Sequence, residues 1–508
     1  MEILIGLDVG TTGVRALAIE AATGSVVRQA VAAYDMLTPK PGWTEQDPDT
    51  WGQASMRVLA EIARGRDGHV VGLGLAGQMH GSVFLDAADR PIRPALLWND
   101  QRTGRQCEEI VQRIGAAALV RATGNPALTG FQAPKILWLR DEEPEHYARV
   151  ASVLLPKDYV RLLLTGDRAT DASDASGTLL LDIARRAWST EILEALEIPE
   201  QWLPTVYEGA QATGVLRDDV AAELGLPAGL PVAAGGGDNA AAALGAGVAA
   251  RGQLSASIGT SGVLFAPTDR FMPDPSGRVH AFCHVLPGAF HLMAVTLSAG
   301  GSLRWWRSVC GDVSFDALAA EAATAPPGCE GLVFLPYLTG ERTPHLDARA
   351  RGAFVGLTVR HDRAAMTRAV MEGVVLALRD GLEIIRGLGV EIDDVRLVGG
   401  GARSDLWRRL QADIFGVPVR PTSADEGPAH GAALLAGVAA GIYASPAEAL
   451  ALVPARADLV EPDRAAAARY DELHAIYQPL YQALRGGMLS LGDFADASAA
   501  QVRARPGT

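Results

Sequence analysis

A seven-residue pattern occurs twice in this chain, as DVGTTGV at residues 8–14 and SIGTSGV at residues 257–263. Each copy follows an apolar run (ILIGL; QLSA) and precedes another (RALAI; LFAP). Both read as strand, glycine turn, strand: a hairpin whose tip is rich in backbone N–H and hydroxyl groups. The copies lie about half a chain apart, which predicts two related domains. Gly and Ala dominate residues 245–252 and set the boundary there, giving domains 1–248 and 249–485 and a tail 486–508. From about Asp493 the tail is Ala/Arg/Pro-rich without periodicity and is expected to fray.

The remaining pattern alternates strands with helices. Residues 24–34 read as a third strand, Pro48–Ala63 as a helix opened by a D-P-D cap, and VVGLGLAGQMH as a buried strand ending in a glycine turn. PVAAGGGDNAAAALGAGVA and DVRLVGGGARSDLWRRLQADIFG each read as strand, glycine loop, helix. The expected class is α/β, with mixed sheets flanked by helices. At 48% hydrophobic and 20% charged, the 508 residues can bury large cores. A net charge of -14 argues against nucleic acid or an anionic membrane as partner. The longest clean apolar run, Gly431 to Ala444, is too short to span a bilayer. The start, MEILIGLDVG, reads as a first strand rather than a leader. Cys107, Cys283, Cys310 and Cys329 show no paired spacing, so a reduced, cytoplasmic chain is expected.

Lys40, Lys135 and Lys157 are the only lysines, and none follows a glycine-rich loop. A Walker A loop is therefore excluded. The two hairpin tips offer another phosphate grip. Glycine lets backbone N–H groups approach phosphate oxygens, and Thr11, Thr12, Thr260 and Ser261 add hydroxyls. Asp8 precedes the first tip, whereas its counterpart in the repeat is Ser257. A carboxylate beside phosphates repels them unless a cation intervenes, which makes Asp8 the candidate holder of Mg²⁺. Asp238 follows three glycines and opens a small-residue helix, at the kind of strand-to-helix turn where open α/β sheets bind ligands. It suits the base that accepts a proton from an acceptor alcohol, with Asn239 beside it; an N-cap without chemistry fits the spacing equally well. In GLAGQMHG, Gln78 and His80 could hydrogen-bond a polyol with Met79 packed on its carbon face; a lone histidine is more often structural. LVGGGARSD opens a helix with exposed backbone suited to a nucleoside. His280, His284 and His291 lack the partners of a tetrahedral metal site and read as structural.

These segments resemble the FGGY carbohydrate kinases. LDVGTTGVR, TEQDP, AGQMHG, LLWNDQR, LLPKDY, SDASGT, GGGDNAA, SIGTSGV, FCH, FLPYLTGERTPH, GGGARS and GPAHGAA carry the likeness over roughly residues 3–480. The resemblance implies a two-lobed, duplicated fold of the actin-like ATPase (ribonuclease H-like) type. Within the family it points to the members that phosphorylate D-xylulose on its 5-hydroxyl with MgATP. Carried over by position, Asp238 is the catalytic base and Asp8 the residue near Mg²⁺. Met79, His80, Asp238 and Asn239 contact the sugar. Thr11, Thr12, Gly259 and Thr260 face the phosphates of ATP, and Gly400, Gly401 and Ala402 the nucleoside. A homodimer is the family habit. His430 in GPAHGAA departs from the smaller residue expected there and leaves the nucleotide-side lining open. The rival readings are an FGGY kinase for ribulose, gluconate, glycerol or an alditol, and an actin- or chaperone-like ATPase.

Overall fold

The computed structural model describes residues 1–64, 68–422, 427–453 and 458–503. They form two compact units. Unit 1 comprises Met1–Ala250, Pro267–His291 and Asp425–Ala455; unit 2 comprises Arg251–Ala266, Leu292–Ala424 and Arg456–Thr508. Two of the three segments of unit 1 thus come from beyond residue 250.

In unit 1, strands β1 (Glu2–Val9), β2 (Gly13–Glu20), β3 (Val26–Ala33), β4 (His69–Gly77), β5 (Ala212–Val215) and β6 (Pro231–Gly237) make a six-stranded sheet in the order β5–β6–β4–β1–β2–β3. β1 runs antiparallel to β2 and parallel to β4, and β4 runs parallel to β6. Leu4, Ile5, Leu7 and Val9 of β1 are fully buried, as a strand covered on both faces requires. One cover is helix α1 (Pro48–Ala63), capped by the Asp47 carboxylate accepting from the Asp49 N–H. Its buried Trp51, Ser55, Val58, Leu59 and Ile62 recur at helical spacing. The other cover is the glycine- and alanine-rich helix Gly427–Ala439. It lies so close that a Cβ on Gly6 would sit 1.8 Å from the Ala429 carbonyl oxygen, and one on Gly74 2.0 Å from that of Ala432. Helices α2 (Gln132–Glu142), α3 (Pro156–Thr165) and α4 (Asp238–Gly245) complete the parts of unit 1 that bear on the site.

Unit 2 repeats the plan. Strands β7 (Gly252–Ile258), β8 (Gly262–Thr268), β9 (Phe290–Thr296), β10 (Ile392–Val398) and β11 (Val419–Pro421) stand in the order β9–β8–β7–β10–β11. β7 is antiparallel to β8 and parallel to β10, and β10 is parallel to β11. The order β6–β4–β1–β2–β3 of unit 1 therefore recurs as β11–β10–β7–β8–β9, and the matched hairpin tips occupy equivalent places in the two sheets. Helices α5 (Gly300–Val309), α6 (Arg363–Gly387) and α7 (Asp405–Phe415) belong to this unit.

Two local expectations change. The glycines of GGGDNAA are strand residues of β6, and the chain passes from Gly237 straight into α4 without a loop. Beyond Asp493 the chain is helical to Arg503, within the helix Leu480–Arg503. Alanine-rich sequence has high helix propensity even where its apolar residues follow no period. Residues 504–508 of the expected tail lie outside the described residues.

Candidate active site

Strand register accounts for the meeting of the two aspartates singled out from the sequence. Val9 of β1 pairs with Gly77 of β4, and Gly77 pairs in turn with Gly237 of β6. Asp8 sits one residue before this level on β1, and Asp238 one residue after it at the start of α4. Their fields interact: burial and the neighbouring Asp238 carboxylate push Asp8 up to about 7, against the opposing pull of Arg15. Asp238 is pushed up to about 6 by burial, opposed by hydrogen bonds from Asn239. Those bonds run from the Asn239 backbone N–H (2.7 Å) and its side-chain amide (2.9 Å), both to Asp238 Oδ1. Asp238 is the first helical residue and Gly237 takes the cap position, so the N-cap reading of Asp238 falls away. Asp8 Oδ1 is buried and has no hydrogen-bond partner among the described residues.

Met79 and His80 follow β4, and Met79 packs on Gly237, the residue before Asp238. Met79 is buried, and a Cβ on Gly237 would come within 2.9 Å of its Cγ and 3.1 Å of its sulfur. His80 has a left-handed backbone, φ +70°. Its Nδ1 lies 2.7 Å from the Gly177 carbonyl oxygen, which can only accept, so Nδ1 carries the proton. A Cβ on Gly177 would fall 2.7 Å from that nitrogen, which explains the glycine of SDASGT. The ring packs at 4.5 Å on Phe131. Lys135 of α2, wholly buried, donates to the carbonyl oxygens of His80 (2.8 Å) and Gly130 (2.5 Å), tying the turn to the loop that carries Phe131. The family resemblance implies that His80 contacts a sugar; on that expectation His80→Ala should raise the KM for sugar about tenfold, the equivalent of one lost hydrogen bond with its packing, and leave the KM for ATP unchanged. Initial-rate kinetics with each substrate varied in turn would read the difference; an unmoved sugar KM would take His80 out of the sugar site.

The first hairpin tip is held by a network the sequence did not reveal. Thr11 Oγ1 donates to Gln78 Oε1 and accepts from Trp98 Nε1, each at 3.0 Å. Gln46 Nε2 donates to the Thr11 carbonyl oxygen at 2.7 Å, and the Tyr34 hydroxyl to that of Gly10 at 2.6 Å. Gln78 is buried in this network, away from the polyol role its position suggested. The Thr11 hydroxyl is likewise engaged with side chains, whereas Thr12 is exposed at the tip.

Unit 2 has its own cavity, of about 410 Å³. Gly259 and Thr260 of the second tip line it together with Gly400 and Gly401 of the GGGARS turn. The backbone N–H groups of Ala299 and Gly301 donate to the Thr260 carbonyl oxygen (2.9 and 3.0 Å), and that of Gly300 to Gly259 (2.8 Å). These bonds fix the tip against the start of α5, and a Cβ on Gly300 would lie 2.5 Å from the Gly259 oxygen. Ala402 is buried and is not part of the lining. Arg403, from the GGGARS turn itself, also lines the cavity, as do Phe315 and Trp407, which no short motif marks in the sequence.

His430 lies outside this lining. It is buried in unit 1, with Nε2 3.0 Å from the Gly24 carbonyl oxygen and Nδ1 3.3 Å from that of Gly245. His280 has its Nδ1 2.7 Å from Asn125 Oδ1 and stacks on Phe282. Burial pushes His284 down to about 4, so it is neutral near pH 7. Among the described residues no three His, Cys, Asp or Glu side chains are grouped to hold a metal, and no helix is long and apolar enough to cross a membrane. All four cysteines are free.

Residues 3–245 match the model of the N-terminal domain of the FGGY family of carbohydrate kinases, and residues 254–440 that of its C-terminal domain. The xylulose kinase of Escherichia coli K12 is 43% identical over 94% of this chain and 99% of its own length. The chain belongs to the FGGY family of carbohydrate kinases. A second relative, the xylulose kinase of Lactococcus lactis, is 39% identical over 95% of this chain and 97% of its own. Among solved structures, a xyloylose kinase from Brucella ovis superposes with a TM-score of 0.89 at 42% identity, covering 95% of this chain and 99% of that one. A gluconate kinase from Lactobacillus acidophilus reaches 0.91 at 27% identity, covering 97% and 99%. The duplicated plan of the two units is thus the actin-like ATPase fold of an FGGY sugar kinase.

Proposed function

We propose that this FGGY kinase transfers the γ-phosphoryl group of ATP to the 5-hydroxyl of D-xylulose, giving D-xylulose 5-phosphate and ADP. The observation that carries the reading is Asp238: a half-buried carboxylate tuned to about 6, near Asp8 and directly after Gly237, on which Met79 packs. A base with that value is ionised at neutral pH yet basic enough to take a proton from an alcohol as its oxygen gains the phosphoryl group. Asp238 Oδ1 is occupied by Asn239, which fixes the carboxylate plane and directs Oδ2 to the proton. His80, oriented through its Nδ1 bond to Gly177, and Met79, as an apolar wall, serve the sugar. In unit 2, Gly259 and Thr260 serve the phosphates and Gly400 and Gly401 the nucleoside, with Ala402 as backing. In unit 1, Thr12 is the phosphate-facing hydroxyl and Thr11 its support.

The metal implied by this chemistry fits Asp8. Its buried oxygen lacks a partner among the described residues and its carboxylate is pushed toward protonation, the state of a site that needs a cation. Mg²⁺ is commonly held by one or two carboxylates plus phosphate oxygens and water, so a single aspartate suffices. When bound, Mg²⁺ offsets negative charge on the phosphates. The free cysteines accord with a cytoplasmic location.

The choice of sugar rests on the curated relatives, since the gluconate kinase shows that the fold alone does not decide it. A coupled ADP-release assay with D-xylulose, ribulose, gluconate and glycerol tests it. D-Xylulose is expected to give the highest kcat/KM; a larger value for gluconate or ribulose would reassign the substrate, and ATP turnover indifferent to every sugar would remove the kinase reading.

A further inference from the structure

Five ionisable side chains lie wholly buried together in unit 1: Lys157, Asp158 and Arg161 on α3, and Asp171 and Asp174 beyond it. Lys157 Nζ stands 2.6 Å from Asp158 Oδ1, 2.9 Å from Asp171 Oδ1 and 3.3 Å from Asp174 Oδ2. Burying so much charge is costly unless each group is matched, and replacing such a cluster by apolar residues is often neutral or favourable. Stability alone therefore gives no reason for it.

Its outward bonds supply the reason. β6, which delivers Asp238, leaves the sheet register between Ala233 and Gly236. Gly235 in that break has φ +78°, and a Cβ there would lie 1.7 Å from the Leu75 carbonyl oxygen. A break of this kind leaves backbone groups without ladder partners and re-aims the residues beyond it. The Ala234 and Gly235 N–H groups donate to the carbonyl oxygens of Gln211 and Gly209, each at 2.8 Å, and the cluster meets the Ala234 carbonyl and holds the strand on either side. Arg161 donates to the Ala234 carbonyl oxygen at 2.6 Å and to Thr213 Oγ1 at 2.5 Å; Thr213 donates in turn to the Val232 carbonyl oxygen at 3.3 Å. The Gly237 N–H donates to Ser173 Oγ at 3.0 Å, and the Ser173 hydroxyl donates to Asp171 Oδ2, whose other oxygen faces Lys157. The broken strand is thus tied at Val232, Ala234 and Gly237, the last adjoining Asp238.

We propose that Ser173, backed by the Lys157–Asp171 pair and by Arg161, is a positioning residue for Asp238, setting the angle at which the carboxylate leaves β6. The proposal rests on the reading of Asp238 as the base. Three acids against two cations leave one negative charge in excess. Burial, and after it the neighbouring Asp158 and Asp171, push Asp174 well above its usual range against the pull of Lys157.

Ser173→Ala removes the acceptor of the Gly237 N–H while leaving the Lys157 contacts in place. Kinetics on the full-length enzyme, with kcat counted per nucleotide site titrated by ADP binding, should show a fall of about 10²-fold in kcat, the scale of a misplaced catalytic group. The KM values for ATP and sugar should stay within about threefold, a pattern that marks loss in the transition state only. A merely structural role lowers the melting temperature and the number of sites but leaves kcat per site intact, and that result would overturn the proposal. Should Ser173→Ala not fold, Thr213→Val loosens the same strand from the Arg161 side and is read by the same split. Asp238→Asn run alongside separates the two claims. Activity lost in Asp238→Asn but kept per site in Ser173→Ala defeats the positioning role alone; activity kept in Asp238→Asn defeats both.

Discussion

Asp238→Asn is expected to lower kcat by about 10³-fold, within the range that a positioned general base contributes. Asparagine keeps the shape, and its carbonyl oxygen still accepts from the Asn239 N–H, so α4 retains its first turn. Only the proton acceptor is lost. Nucleotide binding should survive, because the cavity with Gly259, Thr260, Gly400 and Gly401 is built entirely from unit 2. Calorimetric titration with ATP and an ADP-release assay would separate the two effects. The pH dependence gives an independent check. Burial raises Asp238 to about 6, so the active carboxylate predominates above that value and is lost as pH falls through it. Wild-type kcat/KM should drop about tenfold per pH unit on the acid side, and that limb should be missing from the residual activity of the variant. Undiminished turnover in Asp238→Asn would sink the assignment. Any acid limb left in the variant belongs to Asp8 and should lie below its wild-type value of about 7, because the Asp238 charge that helps burial raise it is gone.

The residues read from sequence share one property: each lies in a short segment whose chemistry is local. A glycine tip with hydroxyls, an aspartate after three glycines and a Met-His turn are visible within eight residues of chain. The internal repeat carried further, because a duplicated hairpin implies a duplicated sheet, and the strand order recurs in the two units. What stayed hidden depends on distant partners. Gln78 looked like a sugar ligand because it stands beside Met79 and His80 in a polar strand end; its amide instead meets Thr11, 67 residues away in sequence. Ser173 and Lys157 sit in motifs whose wording gives no sign that they brace residue 237. GGGDNAA announced a turn, but its glycines serve a strand that breaks register, and no run of glycines distinguishes the two. His430 looked misplaced for a nucleotide lining and proves to belong to the other unit, packed between Gly24 and Gly245.

Gly431→Ala should damage both stability and turnover, although the residue touches no ligand. The helix Gly427–Ala439 lies between the sheet and α4 with almost no side chain on either side; Ala76, Ala241 and Ala432 make an all-alanine contact there. A Cβ on Gly431 would stand 1.9 Å from the Ala241 carbonyl oxygen, where ordinary contact begins at about 3.4 Å. The obstructing atoms all belong to the Ala241 main chain, so no rotamer can relieve the clash, and the two helices must part by about 1.5 Å (3.4 less 1.9). Overpacking of this kind costs about 1–3 kcal/mol, sometimes more. The displaced element is α4, whose first residue is Asp238, and a shift of about 1 Å at a reacting group can cost about 10²-fold in rate. Gly387→Ala is the control: it adds the same methyl at the end of α6, where nothing lies within 4 Å, and should change neither property. Thermal melts and kcat measured on both variants decide the matter. A Gly431→Ala enzyme that melts and turns over like the wild type would mean that the close helix–helix approach does not hold the catalytic carboxylate in place.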